Sequence, residues 1–126
     1  MTDLHSSAGK IGWVDLTVED ADQALDFYTK VTGWKSTALS MGDYNDYCVG
    51  AEPDSNPVAG ICHARGANSK VPPQWIVYIT VADLDQSLAK CTELGGEILD
   101  GPRGAGGGRI AIIRDPAGAV AGLYGE

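Results

Sequence analysis

The chain carries nearly the same text twice. Thr17-Val18-Glu19-Asp20-Ala21-Asp22-Gln23-Ala24-Leu25 is answered by Thr80-Val81-Ala82-Asp83-Leu84-Asp85-Gln86-Ser87-Leu88, an offset of 80 − 17 = 63. A second match closes each copy, Val58-Ala59-Gly60-Ile61 against Val120-Ala121-Gly122-Leu123, at 120 − 58 = 62. A chain built this way is two copies of one supersecondary unit. Neither half is large enough to bury a good core alone, so the expectation is one domain with a shared core. The first unit runs over about 10–65, a linker over 66–73 and the second unit over about 74–125.

Each copy reads as a strand, a helix and three strands. Ile11 to Val18 alternates, with Trp13, Asp15 and Thr17 on one side and Val14, Leu16 and Val18 on the other. Trp75 to Val81 repeats the plan, with Ile76, Tyr78 and Thr80 facing one way. Asp20 with Gln23, and Asp83 with Gln86, mark helix starts, because a short acceptor caps the first exposed amides. Ala21, Ala24, Leu25, Tyr28 and Val31 form a helical stripe that stops at Gly33, and Leu84, Leu88, Cys91 and Leu94 form one that stops at Gly95-Gly96. Lys35–Leu39, Asp46–Ala51 and Val58–His63 are the later strands of the first copy. Ile98-Leu99, Arg109–Arg114 and Ala119–Tyr124 are those of the second, with a turn at Asp115-Pro116-Ala117-Gly118. The fold class is α+β: two tandem βαβββ units.

Charge removes some functions. Nine basic against seventeen acidic residues give a net charge of −8, the wrong sign for nucleic acid. It suits a cationic ligand or plain solubility. The longest apolar run, around Trp75 to Ile79, is far too short to cross a bilayer. Three cysteines, Cys48, Cys62 and Cys91, lack metal-type spacing and do not form a disulfide framework, which fits a reducing cytoplasm. The polar segment from Met1 to Gly12 is no signal peptide, and His5 within it is given no role.

Leu16-x-Val18-x-Asp20, Phe27-Tyr28, Gly33-Trp34 and Asp115-Pro116-x-Gly118-Ala119 resemble the signatures of the vicinal oxygen chelate superfamily, which includes glyoxalase I, extradiol dioxygenases and bleomycin-resistance proteins. The resemblance runs from about Ile11 to Tyr124 and is strongest to its metal-ligand-poor, glyoxalase-like branch. It implies that the two units form one open, cup-shaped mixed sheet with the helices outside and a ligand on the concave face. It also implies a frequent homodimer. In catalytic members a divalent metal is held from the first and last strand of each unit. By position those sites fall on Trp13, Gly60, Ile76 and Gly122, which offer no side-chain ligand. No metal or other cofactor is therefore expected. Gly60 and Gly122 are expected to leave space, with Trp13 as an apolar wall.

Candidate ligand-binding residues are Trp13, Asp15, Tyr44, Tyr47, Cys62, Trp75, Tyr78, Arg109 and Tyr124. Asp15 is a carboxylate on the face that lines the cup, suited to act as a general base or to anchor an amine or hydroxyl. The competing reading is a structural carboxylate bonded to a tyrosine or arginine. The aromatics suit stacking on a planar ligand, although large rings also pack cores. Cys62 shares the side of Gly60, whereas His63 points the other way or lies in the strand's end loop. The Gly101–Arg109 stretch is no phosphate loop, since no Gly-Lys-Ser/Thr follows, and reads as a flexible rim bearing Arg103 and Arg109. The leading expectation is a small-molecule-binding protein that sequesters or senses an organic ligand. The alternative is a lyase-like or dioxygenase-like enzyme with an atypical or metal-free site. A third reading has Trp13 closing the pocket.

Overall fold

Both helices begin at the repeated aspartates. Asp20 Oδ1 accepts the Gln23 amide at 3.0 Å, and Asp83 Oδ1 accepts the Gln86 amide at 3.1 Å. The computed structural model describes residues 7–126, so His5 lies outside the described residues. Its elements are β1 (Ile11–Val18), α1 (Ala21–Thr32), β2 (Lys35–Ser40), β3 (Asn45–Gly50), β4 (Ala59–His63), β5 (Trp75–Thr80), α2 (Leu84–Glu93), β6 (Glu97–Ala105), β7 (Gly108–Arg114) and β8 (Val120–Gly125). The α+β class and the doubled βαβββ order are as the sequence predicts. Helix α1 ends on Gly33, whose φ of 78° is the left-handed cap that glycine supplies.

Hydrogen bonding orders the strands β2-β3-β4-β1 in the first copy and β5-β8-β7-β6 in the second, each of mixed sense. The first and last strands of each copy pair in parallel: β1 with β4, and β5 with β8. The remaining hairpin pairs are antiparallel. Compact units do not divide at the 66–73 linker. One is Val14–Trp75; the other joins the described residues up to Trp13 with Ile76–Glu126. The cause is local: Gly9 N–H donates to Thr80 O at 2.7 Å and Thr80 N–H donates to Lys10 O at 2.9 Å.

Each unit has its own apolar centre under its helix. In Val14–Trp75, Ala21, Val49, Ala59 and Ile61 are buried, with Val18, Leu25, Tyr28 and Tyr47 packed against them. In the other unit Leu84, Leu88, Ala111 and Leu123 are buried, with Ile79, Val81 and Ile113 beside them. Ala21 and Leu84, both fully buried, are the same repeat position: each is the first helical residue and pins its helix to the sheet. No described helix is long and apolar enough to cross a membrane.

The Gly101–Arg109 stretch is not a flexible loop. Most of it lies in β6 and β7, which close on Gly106 and Gly107, at φ 52° and 88°. Two consecutive positive φ values make a tight hairpin turn that matches strand twist, which the glycine run permits. Irregular pairing is confined to register shifts between Ile98 and Arg103.

Gly122 does not open space in its unit. It faces Tyr78 across the β5–β8 ladder, and a Cβ there would collide with the Tyr78 ring. We therefore expect Gly122→Ala to destabilise the fold by about 1–3 kcal/mol through overpacking. A lower urea midpoint at unchanged m-value checks this.

Candidate functional site

Strand register decides which side chains meet. Asp15 pairs with Gly60 and Thr17 with Cys62 across the β1–β4 ladder, while Cys48 pairs with Gly60 across β3–β4. Partners across a ladder share a face. Asp15, Thr17, Cys48 and Cys62 therefore occupy one side of the sheet. Ile61, Val18 and Tyr47 take the other side, against α1.

On the first side, the Cys62 thiol donates to Asp15 Oδ1 at 3.4 Å. Asp15 is half-buried. Burial pushes its carboxyl from 3.8 up to about 6, opposed by the Cys62 hydrogen bond and assisted by the negative charge of Asp46. Burial also raises the Cys62 and Cys48 thiols, with Asp15 adding to both. Neither thiol is poised as a thiolate nucleophile. Asp15 is the titratable group here that changes state near neutral pH, the condition for useful general acid–base work.

The aromatic candidates separate. Trp75 and Tyr47 lie on the helix side. The Trp75 indole N–H donates to the Tyr28 hydroxyl at 3.0 Å, and its ring meets Tyr28 edge-on at 5.2 Å and Trp34 at 6.0 Å. Tyr47 pairs with Ile61 and donates to Asp22 at the start of α1. The correction follows from period two: Trp75 is out of phase with Tyr78, and Tyr47 with Cys48. Tyr44 stands near β3 with its ring 5.3 Å from that of His63 and the Arg65 guanidinium 4.3 Å above it. In the other unit, Tyr78 is buried against Gly122, and the Tyr124 hydroxyl donates to Gly106 O at 3.0 Å. Arg109 is engaged by both oxygens of Asp85, at 3.2 and 3.0 Å, and by Glu126 O. Trp13 is half-buried near the start of β1.

One group went unread in the sequence. Asp20, Asp22 and His63 bring ligand atoms within 4.8 Å of one another. The only signal was the spacing Asp20-x-Asp22 beside a strand-end histidine, far apart along the chain.

The model of the glyoxalase/bleomycin resistance protein/dioxygenase superfamily matches residues 10–121. The chain belongs to this superfamily. A protein named putative glyoxylase CFP32 from Mycobacterium bovis is 32% identical over 126 residues, covering 92% of this chain and 45% of the relative. The anthracycline biosynthesis protein DnrV of Streptomyces peucetius is 32% identical over 113 residues, covering 88% of this chain and 39% of the relative. The chain thus spans less than half the length of these relatives. Among solved structures, methylmalonyl-CoA epimerase from Mycobacterium tuberculosis matches with a TM-score of 0.51 at 19% identity, covering 89% of this chain and 84% of that one. That likeness is one of fold. The positions where superfamily resemblance puts metal ligands hold Trp13, Gly60, Ile76 and Gly122, a set without a donor side chain, and Tyr78 covers Gly122.

Asp15 gives a stability test. Its carboxyl sits higher in the fold, at about 6, than its ordinary 3.8. The protonated form is favoured on folding, so this contribution is full below 3.8 and is lost as pH rises through 6. The span corresponds to roughly 3 kcal/mol. Asp15→Asn should flatten this part of the pH profile and be the more stable form above pH 6. Urea midpoints between pH 4 and 8 decide it; parallel profiles for both proteins would remove burial as the cause.

Proposed function

We propose that this protein binds a small organic molecule on the sheet face that carries Asp15, without a metal at the positions that superfamily enzymes use. The observation behind this is the half-buried Asp15 carboxyl, held near neutral titration beside the Cys62 thiol and turned away from the helix-side core. Among the described residues no ion pair is made by Asp15; a buried carboxylate without a cation is costly, and such groups concentrate where ligands are met. The net charge of −8 supports a cationic ligand. The names of DnrV and of DauV from a Streptomyces strain, both anthracycline biosynthesis proteins, support a planar aromatic one. Three free cysteines support a reducing, cytoplasmic setting, and the exposed edge strand β2 supports a homodimer.

A second reading is a glyoxalase-like lyase or dioxygenase-like enzyme with an atypical or metal-free site. What favours it is again Asp15, since an acid near 6 exchanges protons at neutral pH. Binding and turnover share the same residue, so one experiment serves both.

A fluorescence titration with proflavine, a planar aromatic cation, tests the binding reading with and without EDTA. We expect equal affinity in both buffers, and about tenfold weaker binding by Asp15→Asn, the size of one charge-assisted contact. Unchanged affinity in Asp15→Asn would take Asp15 out of the site. Loss of binding in EDTA would overturn the metal-free reading, and no binding by the native chain would discard this ligand class.

A further inference from the structure

We propose that Asp20, Asp22 and His63 bind a divalent transition-metal ion of the zinc and cobalt class at the start of α1, on the opposite side of the sheet from Asp15. This is not where superfamily resemblance would place a metal.

His63 carries the first observation. Its side chain is only 9% exposed. Nδ1 lies 2.9 Å from Asn45 O, and a carbonyl only accepts, so the ring proton sits on Nδ1. In the neutral ring Nε2 then carries the lone pair that a metal would take. It makes no hydrogen bond among the described residues and faces Asp22 Oδ2 at 3.9 Å. At that separation there is no direct hydrogen bond, and in the neutral ring both atoms are acceptors. Metal bonds of about 2.0–2.2 Å at a tetrahedral angle would bring the two atoms to about 3.4 Å, a small approach open to the exposed Asp22 side chain.

All three donors are held by outer partners, as ligands in metal sites are. His63 is fixed through Nδ1, with Asp46 Oδ1 3.5 Å away and bonded to the His63 amide. Asp22 is fixed because its Oδ1 accepts from the Tyr47 hydroxyl, which leaves Oδ2 toward His63. Asp20 is fixed by the Gln23 amide on its Oδ1.

The repeat supplies a second, independent observation. The counterpart of Asp22 is Asp85, and there Arg109 binds both carboxylate oxygens. The counterpart of His63 is Gly125, which pairs with Arg109 across the β7–β8 ladder. In the second copy the cation at the helix start is thus built into the chain. In the first copy that place holds an imidazole among Asp20, Asp22 and Asp46, and no lysine or arginine is ion-paired with these acids among the described residues. One imidazole with two carboxylates suits zinc, cobalt or nickel, whereas calcium prefers oxygen alone.

The test is zinc calorimetry and cobalt absorption on the full chain. We expect one ion per chain. Asp20→Asn keeps a capping side chain and Asp22→Asn keeps an acceptor for Tyr47, so both should fold. Each should weaken zinc by tenfold or more, and Tyr47→Phe by about tenfold. Asp85→Asn, the second-copy equivalent, should leave zinc affinity unchanged. No zinc uptake would overturn the proposal, as would unchanged affinity in both Asp20→Asn and Asp22→Asn. So would thiolate charge-transfer bands in the cobalt spectrum that vanish in Cys62→Ser, because they would place the ion at the thiols.

Discussion

Parallel pairing of the first and last strand of each copy is the constraint on which the rest depends. It sets Asp15 beside Gly60 and Tyr78 beside Gly122. A shift of one residue in either ladder would turn every side chain of that strand to the other face. Asp15 would then face the helix-side core and Leu16 the opposite side. The register is held by the buried residues themselves: Ile61, Val49 and Ala59 fit only under α1, and Leu123 and Ala111 only under α2. The apolar pattern thus fixes where the polar residues go.

Within that shared frame the copies have diverged at the positions that face away from the helices. Both ladders keep the glycine and the threonine, Gly60 and Thr17 in the first copy and Gly122 and Thr80 in the second, but Asp15 and Cys62 in the first are replaced by Tyr78 and Tyr124 in the second. One copy fills its glycine with an aromatic ring, and the other sets a carboxyl and a thiol there. At the helix starts the divergence runs the other way. Asp85 has its own arginine, whereas Asp22 has a tyrosine hydroxyl and an imidazole. A duplicated fold makes each copy the control for the other, and the differences mark where packing alone does not dictate the residue.

Much of this was legible in the sequence because the signals were local. Caps at Asp20 and Asp83, the glycine stop at Gly33 and the alternation of β1 depend on neighbours a few residues away. The pairing of Cys62 with Asp15's side followed from the same alternation. The failures had physical causes. Trp75 and Tyr47 looked like pocket aromatics because their strands were placed correctly while their phase was not followed; Trp75 is odd where Tyr78 is even. The glycine run near Gly106 looked mobile, yet consecutive left-handed glycines are what a tight hairpin requires. The Asp20–Asp22–His63 cluster was invisible because it joins a helix start to a strand end some forty residues away, a contact that period and propensity do not encode.

The two polar clusters of the Val14–Trp75 unit cannot exchange roles. Cys62 and His63 are adjacent, so β4 sends one to each face. The thiol meets a carboxyl that burial raises to about 6, and the imidazole meets two aspartates at a helix N-terminus. An acid held near 6 takes up or releases its proton around neutral pH; two carboxyl groups beside an imidazole offer oxygen and nitrogen donors to a cation. The same residue type therefore stands in different surroundings on the two sides of this unit, desolvated beside a thiol on one and at a helix start beside an imidazole on the other.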